Sequence, residues 1–210
     1  MVRRFEDACG GRELGIGMAN RQSLAIGAWR GVSFAVAQID VVAAEDDLLV
    51  VGMLEKDVVG AHRGGADAVD HALHGTLSRL RDGGIFTGGF GETLMLTRPA
   101  APIRAATLML IGMGASLAGN PEAVGNLTGL AMRAALRVGA ASVGCLLGWS
   151  ELDLPDALVA PSAAAMMRGA LAAIEAHDAD AFPMHWTFDI RNGAAVSTTA
   201  ALRDALSAWR

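Results

Sequence analysis

The residues best suited to chemistry lie in a glycine-rich stretch near the middle of the chain. Gly112-Met113-Gly114-Ala115-Ser116 follows an apolar run and leads to Asn120-Pro121-Glu122. A capping asparagine, a proline and an acid in that order predict a helix start, whose N–H groups attract anions. The next glycine, Gly119, comes too late for a dinucleotide fingerprint, and a Gly-Lys-Ser/Thr run is absent. The spacing therefore favours a structural role, in which the glycines allow a tight strand exit.

Two further glycine pairs join the stretch as candidates for ligand binding. Gly64-Gly65 precede a helical pattern, and Gly88-Gly89 lie in a turn before a strand. The candidate ligand-binding residues are Gly64, Gly65, Gly88, Gly89, Gly112, Gly114, Ser116 and Asn120. Backbone N–H groups and small polar side chains of this kind would accept a small anionic ligand.

Carboxylates and imidazoles cluster on the helical pattern that follows Gly64-Gly65. Asp67, Asp70, His71 and His74 occupy neighbouring helical positions and have the chemistry of metal ligands. Their pairing at four-residue spacing is also typical of a solvated helix face. The solvated face is the favoured interpretation, so we predict no metal and no other cofactor.

The sequence offers no clear nucleophile. Ser116 lies in no Gly-x-Ser-x-Gly elbow, and no histidine is close to it in sequence. Cys145 lies between apolar neighbours, where a packed core thiol is expected. Cys9 and Cys145 are the two cysteines, too few for a disulfide framework or a zinc site. We therefore assign no catalytic residue, and the sequence favours a protein without enzymatic activity while leaving the question open.

Apolar runs and turn signals predict the elements that would position these residues. The predicted strands are Val32–Ile39, Leu48–Leu54, Thr93–Thr97, Ala105–Gly112, Ser142–Trp149 and Met184–Ile190, with one short strand near Ser23–Trp29. The predicted helices run from Ala66 to Arg81, from the Asn120 start to Val138, from Pro161-Ser162 to Ala176, and from about Thr198 to Trp209.

The alternation of strands and helices predicts an α/β fold with helices on both faces of one sheet. Strand pairs that lack an intervening helix imply a mixed sheet rather than a wholly parallel one. We divide the chain into an N-terminal extension (1–30), a central domain (31–180) and a C-terminal strand and helix (181–210) packed on the same domain. The extension is either a poorly ordered arm or an arm that docks on a second subunit.

Composition narrows the choice of partners and compartment. The 210 residues are 52% hydrophobic, and 17 basic against 22 acidic side chains give a net charge of −5. A negative balance with few aromatic residues disfavours nucleic-acid binding. The charges near the N-terminus do not fit a signal peptide, and the apolar stretch from Ala105 to Pro121 is too short and broken to span a bilayer. We therefore expect no membrane association and a cytoplasmic location.

A match in order and spacing extends from Leu49 to about Ala176. Its members are a strand ending in Val-Val-Gly-Met-Leu-Glu, a helix running Ala-Asp-Ala-Val-Asp-His-Ala-Leu, the turn Phe86–Leu94, the strand ending Leu110–Gly114 and the strand Val143–Leu147. In these features the chain resembles the N-terminal domain of the M17 leucine aminopeptidases. The resemblance implies a macro-like fold, which is a three-layer α/β/α sandwich.

The resemblance also bears on activity. In the M17 family the two metal ions and an Asn-Thr-Asp-Ala-Glu-Gly-Arg signature belong to a C-terminal domain. This sequence lacks that run, and its one lysine, Lys56, follows a predicted strand in the N-terminal half and so does not match the family's catalytic lysine. No catalytic or metal-binding residue of the family can therefore be transferred. The resemblance implies a non-catalytic, stand-alone homologue that serves as an assembly or regulatory module, as a homo-oligomer or with a partner protein.

Two alternatives remain beside this interpretation. One is a small-ligand protein that binds a nucleotide or ADP-ribose in a macro-like cleft, because Gly64-Gly65 before a helix is similar to the ADP-ribose-binding segment of macro domains. Against it, the asparagines that usually precede that segment are missing, since none lies between Asn20 and Asn120. The other alternative is one part of a split metal-dependent aminopeptidase.

Overall fold

The computed structural model describes residues 23–55, 64–115, 120–147, 155–177, 183–190 and 195–210. Within these ranges the chain forms seven strands and five helices. The strands are β1 (Leu24–Trp29), β2 (Val32–Ala37), β3 (Leu48–Met53), β4 (Thr93–Thr97), β5 (Thr107–Gly112), β6 (Ser142–Leu146) and β7 (Met184–Asp189). The helices are α1 (Gly65–Ala72), α2 (Thr76–Asp82), α3 (Pro121–Val138), α4 (Asp156–Glu175) and α5 (Ala195–Trp209). Every predicted strand is present, and none is longer than predicted.

The strands form a single mixed sheet in the order β1-β2-β7-β6-β3-β5-β4. The five inner strands, β2, β7, β6, β3 and β5, run parallel to one another. The two edge strands, β1 and β4, run antiparallel to their neighbours. The mixed sheet is therefore confirmed. β7 lies between β2 and β6, so the predicted C-terminal segment contributes a strand to the middle of the sheet.

Side chains on the two faces of the sheet enter two separate apolar cores. Val50 faces the core that contains residues of α3, α4 and α5. Leu49 and Val51 face the core that contains residues of α1 and α2. All six residues of β3 are buried, as expected for a parallel strand covered on both faces. Helices thus cover both faces, and the predicted three-layer α/β/α sandwich is confirmed.

The single helix predicted over 66–81 is wrong, because the chain forms two helices there. His74 and Gly75 have φ values of 54° and 77°, which end α1 and turn the chain into α2. The carboxylate of Asp70 stabilises the turn: it accepts hydrogen bonds from the N–H of Leu77 at 2.7 Å and from Ser78 Oγ at 2.6 Å. The helical period of apolar residues continues across the turn, so periodicity alone could not reveal it.

The predicted start of the next-to-last helix is also wrong. α4 begins at Asp156, and Pro161 lies inside it. A proline removes one backbone hydrogen bond, and here that loss falls near the start of the helix on an exposed residue. Leu158 and Val159 are half-buried, so side-chain packing favours the additional turn before the proline. α5 likewise begins at Ala195, three residues before the predicted Thr198.

By length and composition alone, α4 is long and apolar enough to cross a membrane. In the fold it packs against both α3 and α5. Half of the apolar part of this helix is buried within the protein. A core helix can have the same composition as a membrane span, and this one packs in the helical layer beside α3 and α5.

α3 and α4 approach each other so closely that glycine is required at their crossing. A Cβ atom at Gly125 would lie 2.7 Å from the carbonyl oxygen of Ala165. A Cβ atom at Gly169 would overlap the backbone of Gly125. Neither obstacle is a flexible side chain, so the helices themselves would have to separate.

Gly169→Ala should therefore lower the free energy of unfolding by about 1–3 kcal/mol, although alanine is the better helix former. Urea unfolding followed by circular dichroism measures the change. Arg168→Ala, at the adjacent exposed position of α4, should change stability by less than about 0.5 kcal/mol. Equal stability of Gly169→Ala and the wild type would contradict the close packing.

Candidate functional site at the carboxyl ends of the strands

The carboxyl ends of β3 and β6 meet where the chain leaves the sheet in opposite directions. From β3 the chain continues to α1 on one face, and from β6 it continues to α4 on the other. In open α/β sheets, ligands bind at such a switch point, outside the carboxyl ends of the strands. Gly64 and Gly65 begin α1 beside this point, with Gly65 buried.

The loop 86–91 folds against the end of β5 and contacts two of the candidate glycines. The N–H of Gly91 donates to the carbonyl oxygen of Gly112 at 2.9 Å, and the N–H of Gly114 donates to that of Gly88 at 2.9 Å. A Cβ atom at Gly112 would overlap the backbone of Gly88 and Gly89. Gly88, Gly89, Gly112 and Gly114 therefore form one cluster. The close backbone contact at position 112 leaves no room for a side chain, which explains why this residue is a glycine.

A carboxylate of the chain itself occupies the N–H groups of this loop. Oε2 of Glu92 accepts hydrogen bonds from the backbone N–H of Thr87 at 2.9 Å, Gly88 at 2.9 Å and Gly89 at 3.1 Å. The Thr87 hydroxyl donates to the same oxygen at 2.9 Å. Converging N–H groups are the usual cradle for an anion, and here they hold an internal one. A ligand anion at Gly88 and Gly89 would have to displace Glu92.

The pKa of Glu92 reflects these bonds. Burial raises the pKa of the carboxyl, but the hydrogen bonds from Thr87, Gly88 and Gly89 lower it by more. The net result is a pKa below the ordinary value of 4.5. Glu92 is therefore ionised at neutral pH and acts as a fixed acceptor. Glu92 is not among the residues predicted from the sequence, although its position directly after Gly88-Gly89-Phe90-Gly91 is the available signal.

Asn120 caps α3 as predicted. Its side-chain oxygen accepts a hydrogen bond from the N–H of Ala123 at 3.1 Å, and Pro121 takes the first helical position. The cap uses one of the N–H groups that would otherwise face an anion. Ser116 lies outside the described residues. Ligand binding by the eight candidate residues stays a prediction, and the structure brings Gly88, Gly89, Gly112 and Gly114 into contact.

The carboxylates and imidazoles in and directly after α1 form no metal site with the other described residues. Among the described residues, no three histidine, cysteine or acidic side chains are close enough together to hold a metal ion. Asp70 instead binds the first turn of α2. Cys145 is fully buried, and burial, followed by the negative charge of Asp189, raises the pKa of its thiol well above the ordinary value. Such a thiol is a packed core group, as predicted.

The two edges of the sheet differ in how they are protected. β1 carries a bulge between Ala25 and Gly27. From α5, Arg203 donates to the carbonyl oxygen of Ala25 at 2.6 Å, and Arg210 donates to that of Ala28 at 3.4 Å. Bulges and charges are the usual means by which proteins prevent further strands from pairing at an edge.

Among the described residues, β4 has no bulge, and the charges nearest to it in sequence, Glu92 and Arg98, lie at its two ends. Its sequence, Thr93-Leu94-Met95-Leu96-Thr97, contains no charge, proline or glycine, and its register against β5 is regular. In the described ranges no backbone–backbone hydrogen bond joins its outer side to another segment. Thr93, Met95 and Thr97 are exposed. An uncharged, regular edge strand is a template for pairing with another chain.

The layered fold and the switch point define a macro-like α/β protein. A model of the cytosol aminopeptidase family, N-terminal domain, matches residues 50–178, so the chain belongs to this family. A probable cytosol aminopeptidase of Ralstonia pickettii is 34% identical over 107 residues, which cover 51% of this chain and 20% of that protein. The resemblance to the N-terminal domain of M17 aminopeptidases is thereby confirmed.

Solved structures agree on the fold. A mutant of tomato leucine aminopeptidase has a TM-score of 0.62 at 21% identity, covering 83% of this chain and 35% of that one. A macrodomain of Trypanosoma brucei in complex with ADP-ribose has a TM-score of 0.56 at 14% identity, covering 84% of this chain and 69% of that one. The chain thus spans about a fifth of the bacterial aminopeptidase and about a third of the tomato enzyme.

The variant Glu92→Gln tests whether the ionised carboxylate of Glu92 stabilises the loop 87–89. The variant should lose about 1–3 kcal/mol of stability at pH 7, because the loop N–H groups lose an ionised acceptor. The pKa of Glu92 is lower in the folded protein than in the unfolded chain. The stabilising effect of the Glu92 charge is therefore fully present at pH values above the unfolded pKa, and it is lost as the pH falls through the folded pKa.

The difference between wild type and Glu92→Gln should therefore be full at pH 7 and shrink below about pH 4. Urea unfolding at a series of pH values measures it. Asp204→Asn, which removes an exposed carboxylate on α5, serves as the control and should stay close to wild type. A difference that does not change with pH would count against the role of the Glu92 charge.

Proposed function

We propose that this chain is a non-catalytic assembly module of the cytosol aminopeptidase family, which acts by associating with a second copy of itself. The observation that carries the proposal is the open edge of β4, which stands in contrast to the protected edge of β1. Evolving proteins usually block an edge that has no partner. One edge of this sheet is blocked by arginines and a bulge, and the other presents five uncharged residues.

The chemistry at the carboxyl ends of the strands supports the same proposal. The N–H groups of the loop 87–89 bind Glu92, and Asn120 caps α3. Internal groups thus use several donors that a phosphate or carboxylate ligand would need. The family description refers to the cytosol, which fits a cytoplasmic location for this chain.

The mass in solution tests the proposal. Light scattering after size-exclusion chromatography should give about 43 kDa, twice the 21.6 kDa of one chain, or a higher multiple. The reason is that an edge strand without charge gains hydrogen bonds and apolar contacts when it pairs. A mass of one chain at all concentrations up to about 100 µM, in the range of weak specific association, would overturn the proposal.

A second candidate function is binding of a small anionic ligand at the switch point. It is favoured by the likeness to a macrodomain that was solved with ADP-ribose, and by the position of Gly64 and Gly65 at the start of α1. ADP-ribose and nucleotides at millimolar concentration, followed by thermal unfolding, test this candidate. Binding raises the melting temperature by mass action, and an unchanged melting temperature would remove the candidate.

A further inference from the structure

The backbone of β4 shows which of its residues face outward. Gly112 donates from its N–H to the carbonyl oxygen of Glu92 at 2.7 Å, and Arg98 donates to that of Ala106 at 2.9 Å. In an antiparallel ladder, every second residue of a strand bonds to its neighbour, and the residues between turn their N–H and C=O groups the other way. Thr93, Met95 and Thr97 therefore present their backbone groups to the open side of the sheet.

The sequence of this edge reads the same in both directions. Thr93-Leu94-Met95-Leu96-Thr97 is a palindrome centred on Met95. If two copies pair antiparallel about a two-fold axis at Met95, Met95 lies opposite itself and Thr93 lies opposite Thr97. All of these residues have outward backbone groups, so each facing pair can exchange two N–H···O bonds. A two-fold interface uses one patch twice, and a palindromic strand meets that requirement.

The charges that flank the strand are complementary in the same register. Glu92 and Arg98 stand three residues before and after Met95, so Glu92 of one copy comes close to Arg98 of the other, where Arg98 leaves the strand with a φ of 52°. Arg98 is exposed. The four bonds of Glu92 to its own loop all end on Oε2, which leaves Oε1 for a guanidinium. A pairing register shifted by two residues would lose both this charge pair and the overlap of the palindrome.

The side chains of β4 also suit a second copy. Leu94 and Leu96 are half-buried against the core on the α1–α2 face. In the register centred on Met95, Leu94 faces Leu96 of the second copy, which covers the remaining apolar surface of both. Met95 is 38% exposed and would meet its own copy on the opposite face. Cross-strand pairs of large apolar side chains are a main stabilising contact in antiparallel sheets.

We propose that two copies of this chain join β4 to β4 in antiparallel register about Met95, forming one continuous sheet across the dimer. This interface rests on the proposed assembly function and specifies its partner and geometry. The backbone groups of Thr93, Met95 and Thr97 supply the hydrogen bonds. Glu92 and Arg98 fix the register.

Disulfide trapping tests the register directly. In a Cys9→Ser background, Met95→Cys should crosslink to itself under mild oxidation, because hydrogen-bonded antiparallel pairs have Cα atoms about 5.5 Å apart, within disulfide reach. Thr93→Cys and Thr97→Cys face each other and not themselves, so each alone should give about tenfold less crosslinked dimer. Cys145 is buried and does not contribute.

Crosslinking by Thr93→Cys or Thr97→Cys in place of Met95→Cys would overturn the register. The double variant Thr93→Cys/Thr97→Cys should crosslink as well as Met95→Cys, which shows that the single variants fail because of geometry and not because of reactivity. Non-reducing electrophoresis measures all four proteins.

Met95→Lys tests the interface by repulsion. It places two like charges directly opposite each other at the axis, so the dissociation constant of the dimer should rise by about tenfold or more. Because Met95 is on an exposed edge, the monomer should keep its melting behaviour at low protein concentration. Leu24→Lys, at an exposed residue of the opposite edge strand, is the matched control and should leave the mass unchanged.

The outcomes separate this inference from the proposed function. A wild-type protein that is monomeric overturns both. A wild-type dimer that survives Met95→Lys, and in which Met95→Cys does not crosslink, overturns the β4 interface and leaves the assembly function standing.

Discussion

The backbone contact between Gly112 and the loop 88–89 is the constraint on which the end of the sheet depends. A side chain at position 112 would overlap that loop, so the loop could not fold against the end of β5. The hydrogen bonds of Gly91 and Gly114 across this contact then fix where β4 begins. The start of the edge strand thus depends on a glycine whose Cβ would have no room, and the register against β5 sets its outward backbone groups.

Glu92 completes this arrangement with an internal charge. Its carboxylate binds the N–H groups of Thr87, Gly88 and Gly89 directly before β4. The same geometry in other proteins would attract a phosphate, so a glycine-rich loop in this sheet is not by itself evidence for a ligand. The internal carboxylate instead links the loop to the start of the edge strand, since Glu92 is also part of the ladder with β5.

The contrast between the two sheet edges connects the fold to its proposed role. On the α5 side, Arg203 and Arg210 bind carbonyl groups of β1 and so place two positive charges at this edge. On the other side, β4 has the same residue types in both directions and opposite charges at its ends. The chain spans a fifth of the bacterial aminopeptidase and a third of the tomato enzyme, and the proposed association needs only this edge of the sheet.

The sequence by itself determined the elements whose signals are local. The continuous apolar run of β3 predicted a strand covered on both faces, and Asn120, Pro121 and Gly139 marked both ends of α3. Only the tertiary structure decided the break at Gly75, the start of α4 before Pro161 and the position of β7 between β2 and β6. It also decided that Glu92 accepts hydrogen bonds from the N–H groups of Gly88 and Gly89. The physical reason is that these features depend on contacts between residues distant in sequence, or on a side chain that competes for backbone donors, and periodicity reports neither.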